Sequence, residues 1–139
     1  MKPILTKSDY NTIHALLKNL PAHLRGKEVV QLQNEINSAE IINDSQISDD
    51  IIQINSLFEV VEITSGQKMN FQLVLPQFAN LKQNRISLIS PLGVALIGFR
   101  KGMTIEWMLP GGLKKLHING VKNGREIADV SNTTEINQK

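Results

Sequence analysis

The chain has 139 residues, 15 Lys plus Arg against 13 Asp plus Glu, and a hydrophobic fraction of 41%, which is the make-up of one ordinary globular core with room for a small appendage. A formal charge of +2 is too balanced for bulk binding to duplex DNA, which takes a dense excess of cations to displace condensed counterions. With no cysteine there is no disulfide frame, Cys-ligated zinc or thiol nucleophile. The opening residues also lack the apolar run of a signal peptide and no stretch approaches the ~18 apolar residues of a membrane span, so a cytoplasmic protein is expected.

In the first stretch Tyr10, Ile13, Leu16 or Leu17, and Leu20 recur at helical spacing, with Thr6 and Asp9 as its start signal and Pro21 as its stop. In the second, Val29, Leu32, Ile36 and Ala39 make a narrow 3-4-3 seam flanked by polar residues, which calls for one partner helix. The short connection Leu20 to Gly26 makes the two helices antiparallel, a stubby hairpin over residues 1–47. The polar run Asn43 to Asp50 then separates it from residues rich in Ile, Val and Phe.

Over residues 48–128 the pattern changes to strands. Leu57 to Ile63 and Lys68 to Leu75 predict a β-hairpin turning near Gly66, and further strands are expected at Arg85–Ile89, Met103–Met108 and Lys114–Val121, the last entered through Pro110-Gly111-Gly112. Ser90-Pro91 with Gly98 predicts a short helix over 91–98, because serine caps, proline suits the first helical position and glycine the end. The predicted class is α+β, a helical hairpin plus an antiparallel sheet with one short helix. Residues 129–139 read as a polar tail.

Catalytic and metal readings fail on supply. His14, His23 and His117 have no ligand spacing, Asp49 and Asp50 point to opposite sides of an extended linker, and the glycines form neither a Walker loop nor a dinucleotide fingerprint. Lys82, Arg85, Arg100, Lys101, Lys114, Lys115, Lys122 and Arg125 could form a patch. One Trp, one Tyr and four Phe leave little for stacking bases, so those cations read as a solvated surface and direct sequence-specific nucleic-acid binding is not expected. Trp107 is assigned to the core or its edge beside Ile105. Residues alone thus point to a binding module.

Three segments, Asp50 to Ser56, Ile86 to Gly98 and Trp107 to Gly112, together resemble the C-terminal domain of the Gre transcript-cleavage factors, and more closely the Rnk branch, the regulators of nucleoside diphosphate kinase. The resemblance covers about residues 48 to 123 and implies an FKBP-like fold and docking on bacterial RNA polymerase, at the coiled coil on the rim of its secondary channel. It implies that the gripping loop is Ile89, Ser90, Pro91, Leu92 and Gly93, with Pro91 as a rigid apolar surface and Ser90 and the helix N–H groups facing an acidic or carbonyl partner. The GreB-type pattern has an acid before that serine; here it is Ile89.

In the Gre factors two acidic residues at the hairpin tip place a catalytic Mg²⁺. Here the tip holds Pro21, His23, Arg25 and Lys27, with no acid before Glu28, and Mg²⁺ prefers carboxylate oxygens. The expectation is a non-enzymatic, monomeric factor without cofactor or metal, which occupies the channel mouth and modulates transcription without stimulating cleavage. Two alternatives stand beside it: a peptidyl-prolyl isomerase or chaperone on the FKBP-like architecture, and a true cleavage factor acting through Asp44, Asp49 or Asp50.

Overall fold

The computed structural model describes residues 2–109 and 112–123. The expected Pro110-Gly111-Gly112 turn, in its first two residues, and the polar tail lie outside the described residues. The two expected helices are α1 (Lys7–Asn19) and α2 (Lys27–Ser38). Thr6 caps α1 as its sequence predicts, its hydroxyl accepting the Asp9 N–H at 3.0 Å. At ~1.5 Å per residue each helix is only ~20 Å long.

Two three-residue strands escaped the sequence reading. β1 (Ile4–Thr6) and β2 (Glu40–Ile42) flank the helix pair and bond to each other in parallel, Leu5 facing Ile41. Runs as short as Ile4-Leu5 and Ile41-Ile42 carry no period that separates a strand from a loop.

The main sheet has five strands: β3 (Leu57–Glu62), β4 (Lys68–Val74), β5 (Arg85–Ser87), β6 (Thr104–Leu109) and β7 (Gly112–Lys122), in the spatial order β5-β4-β3-β7-β6. The β3–β4 hairpin turns where predicted, with Gly66 at φ +74°. The expectation of a wholly antiparallel sheet is corrected at one edge. β5 runs parallel to β4, because residues 75–84 carry the chain back across the sheet end through two 3₁₀ turns instead of a tight hairpin. The short helix is α3 (Pro91–Leu96).

The α2 seam does not serve α1 alone. Ile13, Leu17, Val29, Leu32 and Ile36 belong to the same buried cluster as Phe58, Val60, Leu73, Val94, Leu96, Leu116 and Ile118, and α2 also contacts α3. The hairpin therefore lies on the sheet domain and shares its core. Backbone bonds reinforce this: Ile4 N–H donates to Gly98 O at 2.9 Å and Glu40 N–H to Pro3 O at 2.9 Å. The Asp9 carboxylate accepts the Ile54 N–H at 3.1 Å, so α1's first turn also holds the segment before β3.

That segment is locked at its other end by buried polar groups. Asn123 donates to the carbonyls of Ile51 (2.5 Å) and Asp49 (2.9 Å), its side-chain oxygen accepts from Ser56, and Ser56 Oγ accepts the Gln53 N–H at 2.6 Å. Each buried polar atom of the lock has a partner, which is the condition for burying it at all.

Candidate docking site

The loop after β5 is built by two serines. Ser87 Oγ accepts the Ile89 N–H at 3.1 Å, turning the chain; Ser90 Oγ donates to Ser87 O at 2.7 Å and accepts the Gly93 N–H at 3.1 Å, starting α3. Pro91 occupies the first helical position and is exposed. Leu92 is 6% exposed and belongs to the core. Gly93 is buried against β5, and a Cβ there would stand 2.2 Å from Ser87 O.

The five residues expected to form the docking loop divide by burial. Ile89, Ser90 and Pro91 face outward at least in part, whereas Leu92 and Gly93 serve the packing that holds them. The helix N–H groups expected to face a partner are mostly occupied. Gly93 N–H is taken by Ser90 Oγ, Val94 N–H bonds to Ser90 O, and Pro91 has none, which leaves Leu92's. The Ser90 hydroxyl is likewise spent on the cap, and Pro91 presents the exposed apolar ring of the loop.

Apolar surface continues from the loop. Leu88 N–H donates to Val74 O at 2.8 Å, which ties the start of the loop to the end of β4, and Ile89 and Leu75 are both partly buried against the core. From Leu75 and Pro76 a groove of about 470 Å³ runs to Leu16, Leu20 and Pro21 on the α1 side. Beyond it the crossover exposes Phe78 (59%) and Leu81 (80%). Sequence reasoning missed this groove, whose lining comes from α1 and from the start of the crossover, segments far apart in the chain.

The hairpin tip is structural in part. Pro21 opens a 3₁₀ turn and lines the groove, and His23 and Lys27 are exposed. Arg25 folds back onto α1, its Nε donating to Leu20 O at 3.1 Å and its Nη2 to Leu17 O at 2.5 Å, neutralising the helix's negative end. The acids proposed for cleavage lie elsewhere. Asp44 is hydrogen-bonded to the side chain and N–H of Ser8, which holds its carboxyl below the usual range, and Asp50 accepts from Ser48 Oγ at 2.6 Å. Among the described residues no three His, Asp or Glu side chains converge as a metal site.

The remaining histidines have local partners: His14 stacks on Tyr10 with ring centroids 6.0 Å apart, and His117 Nδ1 meets Thr104 Oγ1 at 2.9 Å. Trp107 sits half-buried at the core's edge beside Ile105, as expected.

The described residues form a small α+β head with a proline-fronted loop and an apolar groove. The family described as "Transcription elongation factor, GreA/GreB, C-term" matches residues 47–123. The chain is 33% identical over 112 residues to the transcription elongation factor GreA of Nitrobacter hamburgensis, covering 81% of this chain and 70% of that one, and 34% identical to the GreA of Bradyrhizobium diazoefficiens, covering 81% and 71%. Among solved structures it resembles a GreA/GreB elongation factor from Nitrosomonas europaea with a TM-score of 0.74 and 26% identity, over 88% of this chain and 99% of that one. The Gfh1 of Thermus aquaticus shares the fold at a TM-score of 0.51 and 19% identity, over 88% and 99%. This chain belongs to the GreA/GreB family of transcription elongation factors.

Proposed function

We propose that this chain is an RNA polymerase-binding regulator of the Rnk type, which docks on the coiled coil at the secondary-channel rim and modulates transcription without stimulating transcript cleavage. The family assignment supports the partner, and the composition of the hairpin tip supports the missing activity. Pro21 to Lys27 includes no carboxylate, and Arg25 fills the tip with positive charge bound to its own helix. A Mg²⁺ ion brought there has the single carboxylate of Glu28, beside Gly26, and no acidic pair to hold it. The factor then acts by occupancy, competing with cleavage-competent relatives for a shared surface by mass action.

Co-purification with core polymerase tests the docking. The wild type is expected to bind, and Pro91→Ala to weaken binding about tenfold, the ~1.4 kcal/mol scale of one anchor residue. Pro91 is preferable to Ser90 for this purpose, because changing Ser90 also removes the α3 cap. Added to arrested elongation complexes, the protein is expected to release no short 3′ RNA fragments and to slow the release that GreA causes. Fragments produced by this chain alone overturn the proposal.

A further inference from the structure

We infer that the outer face of the five-stranded sheet binds a small phosphate-bearing molecule, held between Arg85 and Lys122. The strand registers place four residues in one row: Lys122 opposite Leu57, Leu57 opposite Gln72, and Gln72 opposite Arg85. Residues in register share a face, and this one is opposite the core, since the neighbouring row Val121, Phe58 and Phe71 belongs to the core cluster and its edge. At ~4.8 Å between strands the two cations stand ~14 Å apart at their Cα atoms, with long side chains that can close on a ligand from both sides.

Leu57 and Gln72 stand between them, and beside that row, at Glu59, Asn70 and Gly120, the sheet is concave. A bulge between Glu59 and Val60 coils β3, Gly120 leaves the floor without a side chain, and Gln83 and Asn84 of the crossover form a wall, with Asn84 at φ +58°. The cavity is about 780 Å³, within the range of small-ligand sites. Its charges are Arg85, Lys101 and Lys122 against Glu59, and Glu59 Oε1 is already bonded to the Asn119 amide at 2.5 Å. Among the described residues none of the three cations lies in an ion pair.

Excess cation in a hollow calls for an anion, and an arginine fork with a lysine opposite suits phosphate oxygens. The amides of Asn70 and Asn119 can orient the organic part through paired donors and acceptors. Phe58 is 3% exposed and the half-buried Phe71 packs against the core, so at most one ring edge is open there and no row of aromatics serves a run of stacked bases, which favours a small molecule over a nucleic-acid strand. The face is separate from the docking loop: Arg85 opens β5, and Ile89 to Pro91 follow its end. The inference therefore stands or falls independently of polymerase binding.

The test is an amide NMR titration of the full chain with sodium tripolyphosphate and with ATP at about 0.15 M salt, where exposed charges are screened beyond ~8 Å. Saturable shifts at Asn70, Gln72 and Asn119 are expected. Arg85→Ala and Lys122→Ala should each weaken binding about tenfold, one charge-assisted contact's worth, and Lys115→Ala, an exposed β7 cation outside the cavity, should not. Both side chains are exposed, so thermal melts should confirm folded variants. Tighter binding of ATP than of tripolyphosphate supports the role of the amides, and equal binding overturns that part. No saturable shift, equal loss in Lys115→Ala, or displacement by an equimolar poly-aspartate peptide overturns the site; the last result reassigns the face to an acidic protein.

Discussion

Asp9 carries two duties with opposite electrostatic consequences. As the third residue of α1 it favours the helix's positive end, and its carboxylate holds the Ile54 N–H. Burial pushes its pKa up to about 6, the Ile54 N–H pulls it back in part, and the nearby Asp44 charge raises it again. A carboxylic acid whose folded pKa lies above its unfolded value of 3.8 binds more protons folded than unfolded between those two values, so folding stability falls as pH rises through that window. Each pH step of one across the window is worth at most ~1.4 kcal/mol, and partial exposure of the carboxylate reduces this, so the loss between pH ~4 and ~7 is about 2 kcal/mol. Asp9→Asn keeps an oxygen for Ile54 and removes the charge. The variant should be more stable than the wild type at neutral pH and equal to it near pH ~4. Urea titrations at both pH values measure this difference, and subtracting the two proteins cancels the opposite drift from acids uncoupled to Asp9, such as Glu62, whose pKa is lowered. An unchanged difference across the window would mean that Asp9 is already solvated.

At the scale of elements, the N-terminal segment crosses in close contact over the end of α3. Gly98 has φ +84°, and a Cβ there would lie 2.4 Å from Pro3 Cβ and 3.0 Å from Ile4 N, so β1 can reach Gly98 O only if the side chain is absent. Gly98→Ala should cost roughly 2–4 kcal/mol, from ~1–2 for the left-handed backbone and the rest from overlap. Gly102→Ala is the matched comparison: φ is +94° but nothing lies within 4 Å, so the backbone part alone remains. Urea midpoints that fall equally in both variants would remove the overlap from the account.

The sequence could not disclose that join. Thr6, Pro21, Ser90 and Pro91 are local signals with local geometry, and the elements they bound were legible for that reason. The β3–β4 hairpin was legible from Gly66 and period-two alternation. What stayed hidden was set by distant partners: β1 pairs with β2 across the whole helical hairpin and bonds to Gly98, and β5 pairs in parallel because the crossover returns the chain. The same holds for the docking loop. Its Ser-Pro start was visible in the residues, whereas the split between outward Pro91 and inward Leu92 needed the packing of α3 on β5.

For the whole molecule, the shared core decides how the hairpin and sheet domain behave together. A coiled-coil arm with its own seam would unfold by itself, because helices this short are marginal in water without a packed face. Here the seam residue Leu32 is 0% exposed and lies in one cluster with Val94, Leu96 and Ile118, so melting the helices uncovers the sheet's core as well. We therefore expect one cooperative transition. Far-UV circular dichroism follows α1 and α2, the fluorescence of Trp107 on β6 follows the sheet, and the two denaturation curves should coincide. Leu32→Ala, in the range of ~2–5 kcal/mol for a truncated core leucine, should shift both curves together by the same amount. A helical signal that melts first, with Trp107 unmoved, would show two independent units. Coincident curves would mean that α1 and α2 do not unfold as a unit separate from the sheet domain.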